Sequence, residues 1–199
     1  MFTNKDYILA SSSNSRYKIL KNAGFPFKQL NPSCDEEKIK SKIKKKAISP
    51  VSLVKKLSYA KALSISKNKR YAEKKIIGCD TLVYLNNTIF DKAKTLEEAK
   101  WKIKKLSGKK HTIISGITIC RNGKIIWQRS VSTDIKIRKL TNSQINLYLQ
   151  KSGKQILQSV GCYQIESLGP NIIESIKGDF FNVMGLPLFD LLKYVSKNG

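Results

Sequence analysis

The sequence predicts an α/β protein built on a mixed, twisted sheet. Three observations carry this: apolar strand-like runs alternate with helical segments, most helical segments start or stop on a cap residue, and two long strand-like segments meet at Asn122-Gly123. Residues 5–10 (KDYILA) read as a short strand entering a serine-rich loop at 11–15. A helix follows from about Ser15 and stops at Gly24, a residue suited to the position after a helix end. Residues 26–31 form a second short strand, and the very basic stretch 36–46 reads as a helix. Pro50 then opens a firmer helix over 51–67, with Leu53, Val54, Leu57, Ala60, Ala62 and Leu63 at helical spacing.

Residues 75–79 read as an apolar strand ending at Asp80, and Asn86-Asn87 supplies a hairpin turn before Ile89. Thr95 caps the next helix, Glu98 three residues on completes a capping box, and Gly108 closes it. Residues 111–120 and 124–137 are two long strands, and the Asn-Gly pair between them signals a type I′ turn. Thr141 caps a helix that ends near Gly153. Two short strands follow at 160–165 and 171–176, and the last helix runs from Pro187 to about Val195.

Length and composition bound the function. At 199 residues the chain fits one domain, 1–199, with no repeat and no Pro/Gly/Ser linker dividing it. Its longest uncharged runs are eleven residues, far short of the roughly 20 a membrane span requires. The opening meets Asp6 before any long apolar region, so no signal peptide and a cytoplasmic location are expected. The four cysteines, Cys34, Cys79, Cys120 and Cys162, stand more than forty residues apart with no CxxC pair. Reduced, partly buried thiols are expected in place of zinc or redox chemistry. His111 is the only histidine, which excludes two-histidine chemistry and reads as a packed or hydrogen-bonded structural residue. The net charge of +24 attracts polyanions. However, 33 of the 38 basic residues are lysine, and base-reading favours the arginine fork. The balance therefore argues against a dedicated nucleic-acid role.

Three stretches carry potential chemistry. In Leu9–Arg16 (LASSSNSR), a strand runs into small hydroxyl residues and a helix start bearing an arginine. Free backbone N–H groups and the positive end of the helix dipole make such a junction an anion site, although a capped turn has the same appearance. Asp80 stands at the end of an apolar strand, where it is either a loop cap or an oxygen ligand for a cation. Asp35-Glu36-Glu37 is either a second carboxylate source or an acidic helix start.

The order of these motifs resembles the Maf family of nucleotide pyrophosphatases. The family's LASxSPRRxxLL is matched by Leu9-Ala10-Ser11-Ser12-Ser13-Asn14-Ser15-Arg16 and Ile19-Leu20, and its acidic pair by Asp35-Glu36. Its LAxxKA is matched by Leu57-Ser58-Tyr59-Ala60-Lys61-Ala62, its IGxDT by Ile77-Gly78-Cys79-Asp80-Thr81, and its GKP lysine by Lys92. LSGxxH falls on Leu106 to His111. The closing pattern falls on Gly161-Cys162-Tyr163-Gln164-Ile165-Glu166, then Gly178-Asp179 and Gly185-Leu186-Pro187-Leu188.

The resemblance implies an ITPase-like (Maf-like) α/β fold, with a sheet-floored cleft between two lobes. It further implies a nucleoside triphosphate substrate held by Ser11, Ser13 and Arg16, with Lys61 and Lys92 neutralising phosphate charge. Asp80 with Glu36 would hold a divalent cation, Mg²⁺ or Mn²⁺, and Asp80 would accept a proton from the attacking water. The products would be a nucleoside monophosphate and pyrophosphate, and the enzyme a homodimer. Glu166 stands where the pyrimidine-preferring branch carries glutamine, and so resembles the 7-methyl-GTP branch. Two positions depart from the pattern: Ser15 replaces the first motif arginine, and Ala93 replaces the proline after Lys92. Competing readings are a nucleotide- or RNA-binding regulator of cell division and an inactive family member.

Overall fold

A computed structural model describes residues 6–44 and 48–198. Lys5 of the expected first strand, and Lys45 and Lys46 of the expected basic helix, lie outside the described residues. Seven strands form a mixed sheet among the described residues. They are β1 (Tyr7–Ala10), β2 (Lys28–Leu30), β3 (Lys75–Leu85), β4 (Thr88–Phe90), β5 (Lys110–Arg121), β6 (Lys124–Ile137) and β7 (Ile173–Lys177). The order is β2-β1-β3-β5-β6-β7, with β4 added to β3. β1 runs parallel to β2 and β3, whereas β4 is antiparallel to β3 and β7 to β6. The helices are α1 (Asn14–Asn22), α2 (Glu36–Lys44), α3 (Pro50–Ser66), α4 (Leu96–Leu106), α5 (Asn142–Ser152), α6 (Phe180–Val183) and α7 (Leu188–Asn198). No helix among the described residues is long and apolar enough to cross a membrane.

The chain forms two compact units, and β3, β5 and β6 each contribute residues to both. The first comprises Met1–Thr81, Ser115–Val131 and Gly185–Gly199. Here α3 begins as expected, with Ser49 capping and Pro50 at its first position. It packs so closely on the sheet that two strand positions must be glycine. A Cβ on Gly78 would stand 2.1 Å from the Ser58 carbonyl oxygen, and one on Gly116 would stand 2.4 Å from that of Val54. Ile8, Ala10, Ala62, Ile65, Ile76 and Cys120 make a core cluster in this unit. Asn122 and Gly123 both take positive φ, 49° and 72°, as the Asn-Gly turn signal requires.

The second unit comprises Leu82–Ile114 and Ser132–Met184. Its core gathers Val83 and Leu85 of β3, Ile103 and Leu106 of α4, Ile135 and Ile137 of β6, and Ile145 and Leu149 of α5. The expected hairpin turns at Asn86 and Asn87, with φ of 46° and 61°. Thr141 and Gln144 close a full capping box on α5.

Three expectations are corrected. β3 does not end at Asp80 but continues to Leu85. A buried carboxylate in mid-strand mimics a strand end in the sequence, and here an ion pair satisfies it. Residues 160–165 form no strand. Cys162 takes φ 56°, and Cys162 and Tyr163 are buried in succession, so the alternation a strand requires is absent. Glu98 does not close a capping box on Thr95. The Thr95 hydroxyl caps the Glu98 N–H, but the Glu98 carboxylate reaches one residue further back, to the N–H of Lys94. Asp179 caps the short helix α6.

Candidate active site

The expected residues of the first unit fall into two groups that meet at consecutive residues of β3. β1 pairs with β3 up to Ala10 opposite Gly78, so the serine loop leaves the sheet where β3 carries Cys79, Asp80 and Thr81 onward. Strand alternation sends Gly78 and Asp80 to the face covered by α3, and Cys79 and Thr81 to the other.

On the α3 face, Lys61 donates to Asp80 Oδ1 at 2.7 Å and pairs with Glu36 Oε1 at 3.0 Å. Asp80 is 8% exposed and Lys61 7%, while the Glu36 side chain is 39% exposed. Glu36 opens α2, where the Asp35 carboxylate accepts from the Lys38 N–H at 2.8 Å and caps the first turn. A helix start, a helix interior and a strand interior thus bring two carboxylates onto one ammonium. Removing Lys61 would leave the buried Asp80 without its cation, whereas removing the Asp80 charge leaves Lys61 paired with Glu36.

On the opposite face, Arg16 organises the serine loop. Its Nη1 donates to Ser11 Oγ at 3.3 Å, its Nη2 to Thr81 Oγ1 at 3.1 Å, and its Nε to the Gly185 carbonyl at 2.8 Å. Ser11 is buried, its hydroxyl accepts from the Ser13 N–H at 3.2 Å, and its carbonyl accepts from Gln29 Nε2 at 2.7 Å. Ser13 caps α1 by accepting from the Arg16 N–H. Thr81 bonds Ser115 at 2.8 Å and donates to the Gly185 carbonyl at 3.2 Å, where the Cys79 thiol also donates. Burial pushes the Cys79 thiol up, so it stays protonated and able to donate. The loop at 11–16 is therefore a fixed cradle of hydroxyls and backbone N–H groups at a helix start, a geometry suited to anions.

The sequence pattern marks Gly185 only as a turn or helix-start device and assigns no role to Thr81 or Ser115. Thr81 was visible as the last letter of the IGxDT block, but its partners Gly185 and Ser115 are distant in the chain.

Lys92 and Glu166 belong to the second unit, and both are exposed. Lys92 lies in the irregular connection between β4 and α4. Glu166 lies in the turns after Tyr163, where the Gln164 carbonyl accepts from the N–H groups of Ser167 and Gly169. His111, 2% exposed, bonds the Tyr163 hydroxyl through Nε2 at 2.5 Å, while its Nδ1 has no hydrogen-bond partner among the described residues. Burial pulls the His111 pKa down to about 4, so the ring is neutral, and burial drives the Tyr163 hydroxyl well above its usual range. The structural reading of His111 holds.

Residues 6–198 match the family described as Maf-like protein. A nucleoside triphosphate pyrophosphatase of Caulobacter vibrioides is 33% identical over 191 residues, covering 96% of this chain and 94% of that protein. A 7-methyl-GTP pyrophosphatase of Bartonella henselae is 40% identical over 185 residues, covering 93% and 91%. Another 7-methyl-GTP pyrophosphatase, of Rhizobium meliloti, is 31% identical over 192 residues, covering 96% of each chain. By these matches over nearly its whole length, the chain belongs to the Maf-like protein family.

Proposed function

We propose that this chain is a nucleoside triphosphate pyrophosphatase. Water forms a bond to the α-phosphorus, the bond from that phosphorus to the α–β bridging oxygen breaks, and pyrophosphate leaves a nucleoside monophosphate. The observation that carries this reading is the Asp80–Lys61–Glu36 group one residue along β3 from Thr81, which anchors Arg16 of the serine loop. The names of the relatives from Caulobacter vibrioides and Bartonella henselae support it.

Asp80 and Glu36 suit a hard divalent cation such as Mg²⁺ or Mn²⁺, which binds through one or two carboxylates together with substrate phosphates. Their convergence on one ammonium supports this, because it brings two carboxylates close enough to be shared by one positive centre. A bound cation supplies a Lewis acid that draws charge from phosphoryl oxygens and eases proton loss from water.

The chain's own residues do the rest. Asp80 accepts the proton of the attacking water, and Lys61 orients its carboxylate. Ser11 and Ser13, with the N–H groups of the α1 start, cradle the polyphosphate, and Arg16 fixes the loop and adds charge. Lys92 neutralises charge that develops on the departing phosphates. Glu166 accepts from the N–H edge of the base, which favours 7-methyl-GTP over pyrimidine nucleotides. The same reading carries a cytoplasmic homodimer, and sedimentation of the purified protein tests its assembly.

Pyrophosphate release from UTP, dTTP, CTP, GTP and 7-methyl-GTP, with and without Mg²⁺ or Mn²⁺, tests the proposal. Metal-dependent release that is fastest with 7-methyl-GTP is expected. No release from any nucleotide would sink the enzyme reading, and a pyrimidine preference would sink the role of Glu166.

A further inference from the structure

Lys92 sits in a segment without regular structure, residues 91–95, yet the backbone on both sides of it is bonded to one ion pair on α4. Lys102 Nζ donates to the Asp91 carbonyl at 2.6 Å, just before Lys92. Glu98 Oε2 accepts from the Lys94 N–H at 2.8 Å, just after Ala93. The other carboxylate oxygen of Glu98 and Lys102 Nζ are joined at 2.8 Å, one helical turn apart.

Lys102 is 4% exposed. A lysine is seldom buried unless its charge and donors are matched. Here one match is a carboxylate and another is the carbonyl beside Lys92. Ala93 is itself buried. A proline at this position would fix φ but has no N–H to offer. Alanine leaves φ free, so the restraint on the backbone comes from outside the segment.

We propose that the Glu98–Lys102 pair is a positioning clamp for Lys92, holding the backbone on either side of that residue so that its ammonium is presented to the phosphates. This rests on the phosphate role given to Lys92 above. Neither clamp residue touches substrate; both act through the 91–94 backbone. The clamp also explains why Glu98 forgoes its capping box, since its carboxylate is directed to the Lys94 N–H and to Lys102.

A double-mutant cycle tests the clamp. Lys102→Met, close in shape and lacking the donors, is expected to lower kcat on the order of tenfold with KM nearly unchanged, as misplacement of a charge-stabilising group would do. In a Lys92→Ala background the same substitution is expected to change kcat less than about twofold. Amide exchange of the 91–94 segment is expected to speed up in Lys102→Met while the strands keep their protection. Should Lys102→Met fold poorly, Glu98→Gln keeps an acceptor for the Lys94 N–H but loses the ion pair, and a smaller loss of kcat that vanishes without Lys92 is expected. Equal fold-losses in both backgrounds, or unchanged exchange at 91–94, would overturn the clamp while leaving the role of Lys92 intact. Normal turnover in Lys92→Ala alone would remove that role, and the purpose of the clamp with it.

Discussion

The two units hold their chemical groups in different ways. In the first, Asp80 and Lys61 stand in the interiors of β3 and α3, and Glu36 opens α2. Their positions follow from the packing of regular elements, enforced where Gly78 and Gly116 let α3 come close. In the second, Lys92 and Glu166 lie on irregular connections, each beside a polar anchor: the Glu98–Lys102 pair, of which Lys102 is buried, for one and the buried His111–Tyr163 pair for the other. A group on a strand needs only its fold, whereas a group on a loop needs a dedicated hydrogen bond from the core. Residues proposed to serve one nucleotide thus have different points of failure.

The sharpest break of this contrast is Asp80→Asn. Lys61 keeps Glu36 as a partner, so the fold should persist, with the thermal midpoint shifted by no more than a few degrees. Turnover should fall ~10³-fold, in the range for loss of a general base. Near-normal pyrophosphate release from that variant would defeat the assignment. Lys61→Met attacks the same region through its fold. It leaves the 8% exposed Asp80 without its cation, and breaking a pair this buried costs about 3 kcal/mol or more. Urea denaturation reads this loss, and an unchanged midpoint would show that the pair is not structural.

The second region is probed through pH. The unfolded chain protonates His111 near its ordinary value of 6.5, but the folded chain refuses the proton until about pH 4. Its neutral burial therefore contributes stability that is full above about pH 6.5 and is lost as pH falls toward 4, ~3 kcal/mol in all. Unfolding free energies at pH 7 and pH 4.5, compared with His111→Gln, should show a shallower fall in the variant. Parallel curves would mean that the ring is not buried as described. The mildest change is Glu166→Gln. Stability should hold, and the ratio of kcat/KM for 7-methyl-GTP over UTP should drop about tenfold, the scale of one altered hydrogen bond to a base. An unmoved ratio would free Glu166 of any role in base choice.

Much of the fold was legible because local rules decided it. Thr141 and Gln144 made their capping box, Asn122-Gly123 made its turn, and Pro50 opened its helix. The failures came where distant contacts outvoted local pattern. Tyr163 is anchored to His111, 52 residues away. That contact turns a strand-like run into turns with Cys162 at positive φ. β3 passes through Asp80 because Lys61, 19 residues away, neutralises it.

The site divides in the same way. The serine loop and the acidic residues were visible as chemistry, and the family resemblance selected Lys61 and Lys92 from 33 lysines. Nothing in the pattern marked Lys102, because the number of lysines hides the few whose charge is buried. The hydrogen-bonding roles of Thr81 and Gly185 were hidden for a related reason. A carbonyl that matters only through its partners leaves no trace in residue type.

The Gly185 carbonyl has one further consequence, for the order of events during synthesis. It accepts from Arg16, Thr81 and Cys79 together, and it is translated 169 residues after Arg16. Until that late segment emerges and docks, the guanidinium lacks its best acceptor and the serine loop lacks its final shape. A nascent chain can therefore build α1, α3 and β3 well before the serine loop is fixed in its final form.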